Sequence, residues 1–147
     1  MIELFKKLFE TPTGTQTDTH HRCQLAAAVL LVEVAAIDQN FQPAETTALM
    51  QILAGKFQLS ETEVSDLESQ ARQAQATASS LHEYTRVLNE HFSDQEKIEL
   101  VANMWQVAYA DGELDKYEEY IIRRVSELLY VAHSDFIRAK HWAREGQ

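Results

Sequence analysis

The stretch Leu31-Val32-Glu33-Val34-Ala35-Ala36-Ile37-Asp38 returns seventy-three residues later as Met104-Trp105-Gln106-Val107-Ala108-Tyr109-Ala110-Asp111. Val34, Ala35 and Asp38 fall on identical residues, and seven positions beyond each aspartate stands a glutamate, Glu45 or Glu118. Apolar positions follow the same offset: Phe41 with Leu114, Leu49 with Ile122, Ile52 with Val125. Each copy reads as an apolar helix, a turn opened by Asp, and a second helix with Glu in its first turn. Two copies are too few for a solenoid. They predict two helical hairpins packed about a pseudo-two-fold, with the helices of residues 60–91 between them.

Outward from these copies the periodicity stays helical. The first apolar helix is expected over about 18–37, and its partner starts at Pro43, whose missing N–H costs nothing at a first helical position. Gly55 and Lys56 suit the end of that partner. The stripe Val64, Leu67, Ala71, Ala74, Ala78 steps by 3 and 4, a narrow helical seam. Ser60–Glu63, Ser80–Glu83 and Ser93–Glu96 each have the spacing of a capping box, in which hydroxyl and carboxylate exchange hydrogen bonds with each other's backbone amides. Further helices are expected over about 80–91, 93–110 and 115–131, with a last one starting near Ser134. Ile2–Phe9 is a short amphipathic piece, and Thr11–Thr19, with Pro12 and Gly14, reads as a linker. No segment alternates at period two for long enough to form a strand. The fold class is therefore all-α, a single-domain bundle of seven to eight helices, with residues 1–19 as a short helix and linker and 20–147 as the helical domain.

Composition excludes several functions. The 147 residues carry 13 basic and 23 acidic side chains, a net charge of −10, which repels phosphate backbones and argues against nucleic acid as a partner. Cys23 is the single cysteine, so no intramolecular disulfide and no multi-thiolate zinc site can form. No run reaches the ~18 apolar residues of a spanning helix, and the N-terminus lacks the apolar core and cleavage site of a signal peptide. A cytoplasmic protein without direct membrane insertion is expected. The chain has no Glu-x-x-His pair, Gly-rich phosphate loop or Gly-x-Ser-x-Gly elbow. His20-His21-Arg22-Cys23 clusters soft ligands, but neighbours on a helix point about 100° apart, and a frayed helix start is the expected reading.

The acidic turns carry the functional question. Residues 111–119 read Asp-Gly-Glu-Leu-Asp-Lys-Tyr-Glu-Glu, five acids against one lysine. Asp115-x-x-Glu118 is itself a capping box with Asp as N-cap, and carboxylates in a first turn favour the helix dipole. The other reading is a divalent-cation site, since hard cations need six to eight oxygens and clustered carboxylates supply them. Asp111, Glu113 and Asp115 occupy the first, third and fifth places of an EF-hand loop. Lys116 then stands where its glycine belongs and Ile122 where its bidentate glutamate belongs, so an EF-hand is rejected. A non-EF site combining Asp38, Glu45, Asp111 and Glu118 stays open beside the capping reading. Glu33 sits on an otherwise apolar stripe, where a carboxylate is costly unless paired; it is either a salt-bridged or snorkelling side chain or a ligand contact. In the second copy the equivalent stripe Glu99, Asn103, Gln106 reads as a plain solvent face.

These stretches resemble the TerB-like family of bacterial tellurite-resistance proteins. The likeness rests on residues 30–38 through Glu45 to Phe57-Gln58-Leu59-Ser60, and on Val107-Ala108-Tyr109-Ala110-Asp111-Gly112 through Glu118. The pattern is a helix ending in Ala-x-x-Asp-Gly, a glutamate seven after the Asp, and a Phe-x-Leu-Ser entry to the next helix. The second copy keeps Asp-Gly; the first has Gln39 in place of glycine. The resemblance implies an all-helical fold, a divalent-metal site at the paired turns (Asp38, Glu45, Asp111 and Glu118, with Glu33 in support), and a stress-response or scaffolding role rather than catalysis. Calcium, magnesium, manganese and zinc are all candidate ions. Partners are expected among proteins of a stress-response or membrane-associated complex. Tellurite is an oxyanion; its binding calls for cations or helix N-termini and its reduction for thiols or a redox cofactor. Direct detoxification does not suit one cysteine and a charge of −10. The competing reading is a metal-independent interaction domain whose acids are helix caps.

Overall fold

The apolar run after Cys23 has no polar face to offer water, and a helix apolar all round must be enclosed by others. The computed structural model describes residues 16–36, 43–77, 81–110, 112 and 114–145. Among them are seven helices and no strand: α1 (Gln16–Ala35), α2 (Pro43–Phe57), α3 (Glu61–Thr77), α4 (His82–His91), α5 (Asp94–Tyr109), α6 (Lys116–Leu128) and α7 (His133–Glu145). The amphipathic piece expected over Ile2–Phe9 lies outside the described residues. Helix α1 begins within the stretch expected as a linker, so His20 to Cys23 sit inside its early turns rather than at a frayed start. His20 packs edge-on against Phe57, and Cys23 is buried.

Helix α1 is the hub. Residues 25–32, Val34 and Ala35 are enclosed, because α2, α3, α4, α5 and α6 all pack on it. Helix α5 is the second axis and carries Leu100, Met104, Trp105 and Val107, all at 0% exposure, into the same core. Trp105 stacks on Tyr109 and tilts against Phe136 of α7. The most extensive contacts join α5 to α7 and α1 to α3. Helix α2 packs on α5 as well as α1, and α6 packs on α1 as well as α5.

The helix boundaries follow local chemistry, with one departure from expectation. Ser60 and Glu63 exchange both bonds of a capping box (2.9 and 3.2 Å), as do Ser93 and Glu96 (2.9 and 3.1 Å). Helix α4 instead has Leu81 as its N-cap, with no side-chain cap bond; Ser80 lies outside the described residues. Helix α2 ends within a residue of the expected Lys56. It runs on to Phe57 and closes at Gln58, whose φ of 56° lies in the left-handed region.

Candidate functional site

The first turns of α2 and α6 each carry a buried glutamate. Asp115 caps α6: its Oδ1 accepts the Tyr117 N–H at 2.7 Å, and its own N–H donates to Glu118 Oε1 at 3.1 Å. Glu118 is the third residue of α6, as Glu45 is of α2, and both helices start at equivalent positions of the repeat, Pro43 and Lys116. Glu45 is 1% exposed and Glu118 4%. The glutamates at the same place in the other two capping boxes, Glu63 and Glu96, are exposed. Capping alone can therefore be done in water, and these two carboxylates are withdrawn from it.

A shallow groove of about 550 Å³ places the two halves of the repeat side by side. Pro43, Ala44 and Thr47 from the start of α2 line it together with Gln106 and Ala110 at the end of α5. The helix bearing Glu45 thus begins beside the point where the chain leaves α5 for Asp111. Gly112 follows with a φ of 87° and donates its N–H to the Tyr109 carbonyl at 2.9 Å. That backbone geometry accounts for the Asp-Gly pair, since only glycine takes a positive φ without penalty. Asp38 and Asp111 themselves, like Gln39 and Glu113, lie outside the described residues. Among the described residues no group of three or more His, Cys, Asp or Glu side chains is placed to hold a metal ion, so Glu33, Glu45 and Glu118 do not by themselves make one.

Glu33 engages other elements. Gln75 of α3 hydrogen-bonds its carboxylate, and burial, only partly offset by that bond, raises its pKa. Its charge also reaches Tyr84 of α4, whose hydroxyl is pushed up to about 12 by burial, with Glu83 and Glu33 adding to the shift. The polar partner that an apolar stripe demands thus includes an amide from another helix.

Other features were not read from the sequence. Glu68 is buried and ion-paired with Arg72 one turn on, and Arg72 reaches Thr46 of α2 at 3.4 Å. The i,i+4 spacing was visible; the burial was not. The stripe Glu99, Asn103, Gln106, expected as a plain solvent face, instead lines a larger groove of about 670 Å³ between α2, α5 and α7. The scattered His82, His91, His133 and His141 are exposed. Around the second hairpin the aromatic residues divide. Trp105 is core, whereas Tyr117 and Tyr120 are 58% and 64% exposed.

No helix among the described residues is long and apolar enough to cross a membrane. Comparison with curated proteins and comparison with solved structures each found no match. The family model described as tellurite resistance protein TerB matches residues 24–141, a span from the third turn of α1 into α7 that includes both acidic corners. With its all-helical architecture and that match over most of its length, the chain belongs to the TerB family.

Proposed function

We propose that this TerB-family chain is a non-catalytic stress-response module that binds a divalent cation at its paired acidic corners and docks onto partner proteins. Asp38, Glu45, Asp111 and Glu118 are the ligand set, with Glu33 in support. One observation carries the reading: Glu45 and Glu118 are buried at the position where Glu63 and Glu96 cap their helices from the surface. Paired carboxylates at matched helix starts, near two acidic turns, offer oxygens of the kind a hard cation takes.

The test is a melting series with calcium, magnesium, manganese and zinc. A cation bound to the native state stabilises it by RT ln(1 + [L]/Kd), about 2.7 kcal/mol at a hundredfold excess over Kd. The melting temperature is expected to rise with at least one ion, and Asp111→Asn or Glu118→Gln to reduce the rise. Glu96→Gln, which weakens an exposed cap, leaves the response intact. A melting temperature unmoved by millimolar metal sinks the cation reading. The scaffold reading would then stand alone. It is favoured by the capping box of α6, which Asp115 and Glu118 complete between themselves, and by the exposure of Tyr117, Tyr120, Tyr130 and Trp142.

A further inference from the structure

We propose that the exposed face of α6 is a self-association surface, on which a second copy of the chain packs its own α6 antiparallel about a two-fold axis level with residues 121–122. At about 100° per residue, Lys116, Tyr120, Arg123 and Glu127 lie within about 60° of one another on the helix, and all four are exposed. Glu119 flanks this stripe on one side and Arg124 on the other. In an antiparallel two-fold pair, residues on the same flank meet when they stand equally far from the axis in opposite directions, and each contact is made twice. Lys116 then faces Glu127, Glu119 faces Arg123, and Tyr120 faces Arg124. Two of these are ion pairs, and the third lays a guanidinium on an aromatic ring. The two copies of Arg123 come near each other at the axis, where each is already matched by its own Glu119 at 3.8 Å.

The placement of charge selects this occupant. A cation in the first turn of a helix and an anion in the last both oppose the helix dipole. Lys116 is the first residue of α6, and Glu127 stands in its last turn. Neither is in an ion pair among the described residues. Antiparallel pairing carries each to the opposite end of the neighbouring helix, where its sign is favourable. Arg123 is set in advance by Glu119 and by the Phe136 ring, 5.8 Å away. Helix α6 as a whole is neutral, with three bases against three acids, whereas α3 carries −3 and α5 −2. At physiological salt, charges more than about 8 Å apart are largely screened, so two chains of net −10 can meet through a neutral, self-matching face and not through those acidic ones. A single helix pair about 18 Å long is smaller than a standard interface, which makes the dimer weak and dependent on concentration. This inference gives the exposed face of α6 an occupant and stands apart from the cation site.

The test is sedimentation equilibrium of the full chain in the presence of a chelator, which reads the association separately from any bound ion. The mass is expected to rise from monomer toward dimer between about 10 μM and 1 mM, the range of small interfaces. Lys116→Glu and Glu127→Lys each turn two attractive contacts into repulsive ones, and each weakens the dimer by about tenfold. Mixed one to one, the two variants associate again, because the changes are then matched across the axis. Tyr120→Ala, which touches no ion pair, weakens the dimer about threefold. All three side chains are exposed, so the circular dichroism of each variant is expected to match that of the unmodified chain. A monomer throughout the concentration range overturns the proposal. So does a dimer indifferent to both charge reversals, or a mixture of the two variants that associates no better than either alone.

Discussion

Glu33 shows what one side chain can cost. Its carboxyl is raised mainly by burial, with the Gln75 bond opposing, so the folded state holds the proton more tightly than the unfolded chain. Between the unfolded glutamate value of about 4.3 and the higher folded one, the native state binds more protons. Stability from this group is then lost as pH rises through that window, and the penalty is complete above it. Glu33→Gln is expected to raise the melting temperature at pH 7, with the gain vanishing below about pH 4, as thermal melts across pH will read. Cys23 is governed by the same force. Burial pushes its thiol up to about 11, Arg22 opposing and Glu96 assisting. Since the thiolate is the reactive form, alkylation at pH 8 in native buffer should run on the order of a hundredfold slower than in denaturant. Comparable rates would show that α1 opens readily near its start.

At the scale of elements, α2 and α6 end as similarly as they begin. Leu59 N–H reaches back to the Ala54 carbonyl at 3.0 Å and Val131 N–H to the Ser126 carbonyl at 2.9 Å, the six-to-one bond of a Schellman close. The left-handed residues are Gln58 and Tyr130, with φ of 56° and 60°, where glycine is the usual occupant. Tyr130 is 83% exposed and Gln58 is also exposed, so neither side chain is needed for packing. Gln58→Gly and Tyr130→Gly should each stabilise by about 0.5–1 kcal/mol in urea denaturation. The Phe-x-Leu-Ser stretch acquires a physical meaning here. Phe57 ends the helix, Gln58 turns, Leu59 packs back against the core, and Ser60 caps α3.

At the scale of the molecule, stability concentrates on α1, because five other helices close over it. Leu30 is wholly enclosed, and Leu30→Ala should cost about 2–5 kcal/mol, the range for a core leucine whose surroundings collapse only partly. By contrast the Lys140–Glu119 pair, 3.3 Å apart between α7 and α6 with both side chains partly exposed, should contribute at most about 1 kcal/mol. Equilibrium unfolding of Leu30→Ala and Lys140→Ala measures the contrast. The larger loss at Lys140 would mean that the α6–α7 corner, not α1, limits the fold.

Much of this was legible along the chain because it depends on neighbours a few residues apart. Apolar spacing marked the helices, and Ser-x-x-Glu and Asp-x-x-Glu marked the starts of α3, α5 and α6. The repeat aligned Pro43 with Lys116 and Glu45 with Glu118. The start of α4 at Leu81, which has no side-chain cap bond, was not marked in this way. Tertiary packing alone decided which polar groups leave water. It buried Glu45, Glu118 and Glu68 while Glu63 and Glu96, of the same local pattern, stayed exposed. It also set Gln75 of α3 against Glu33, and turned the stripe of Glu99, Asn103 and Gln106 into the lining of a groove. Hydrogen bonds within a turn are written in adjacent residues; desolvation is set by whichever distant helix comes to lie across the site.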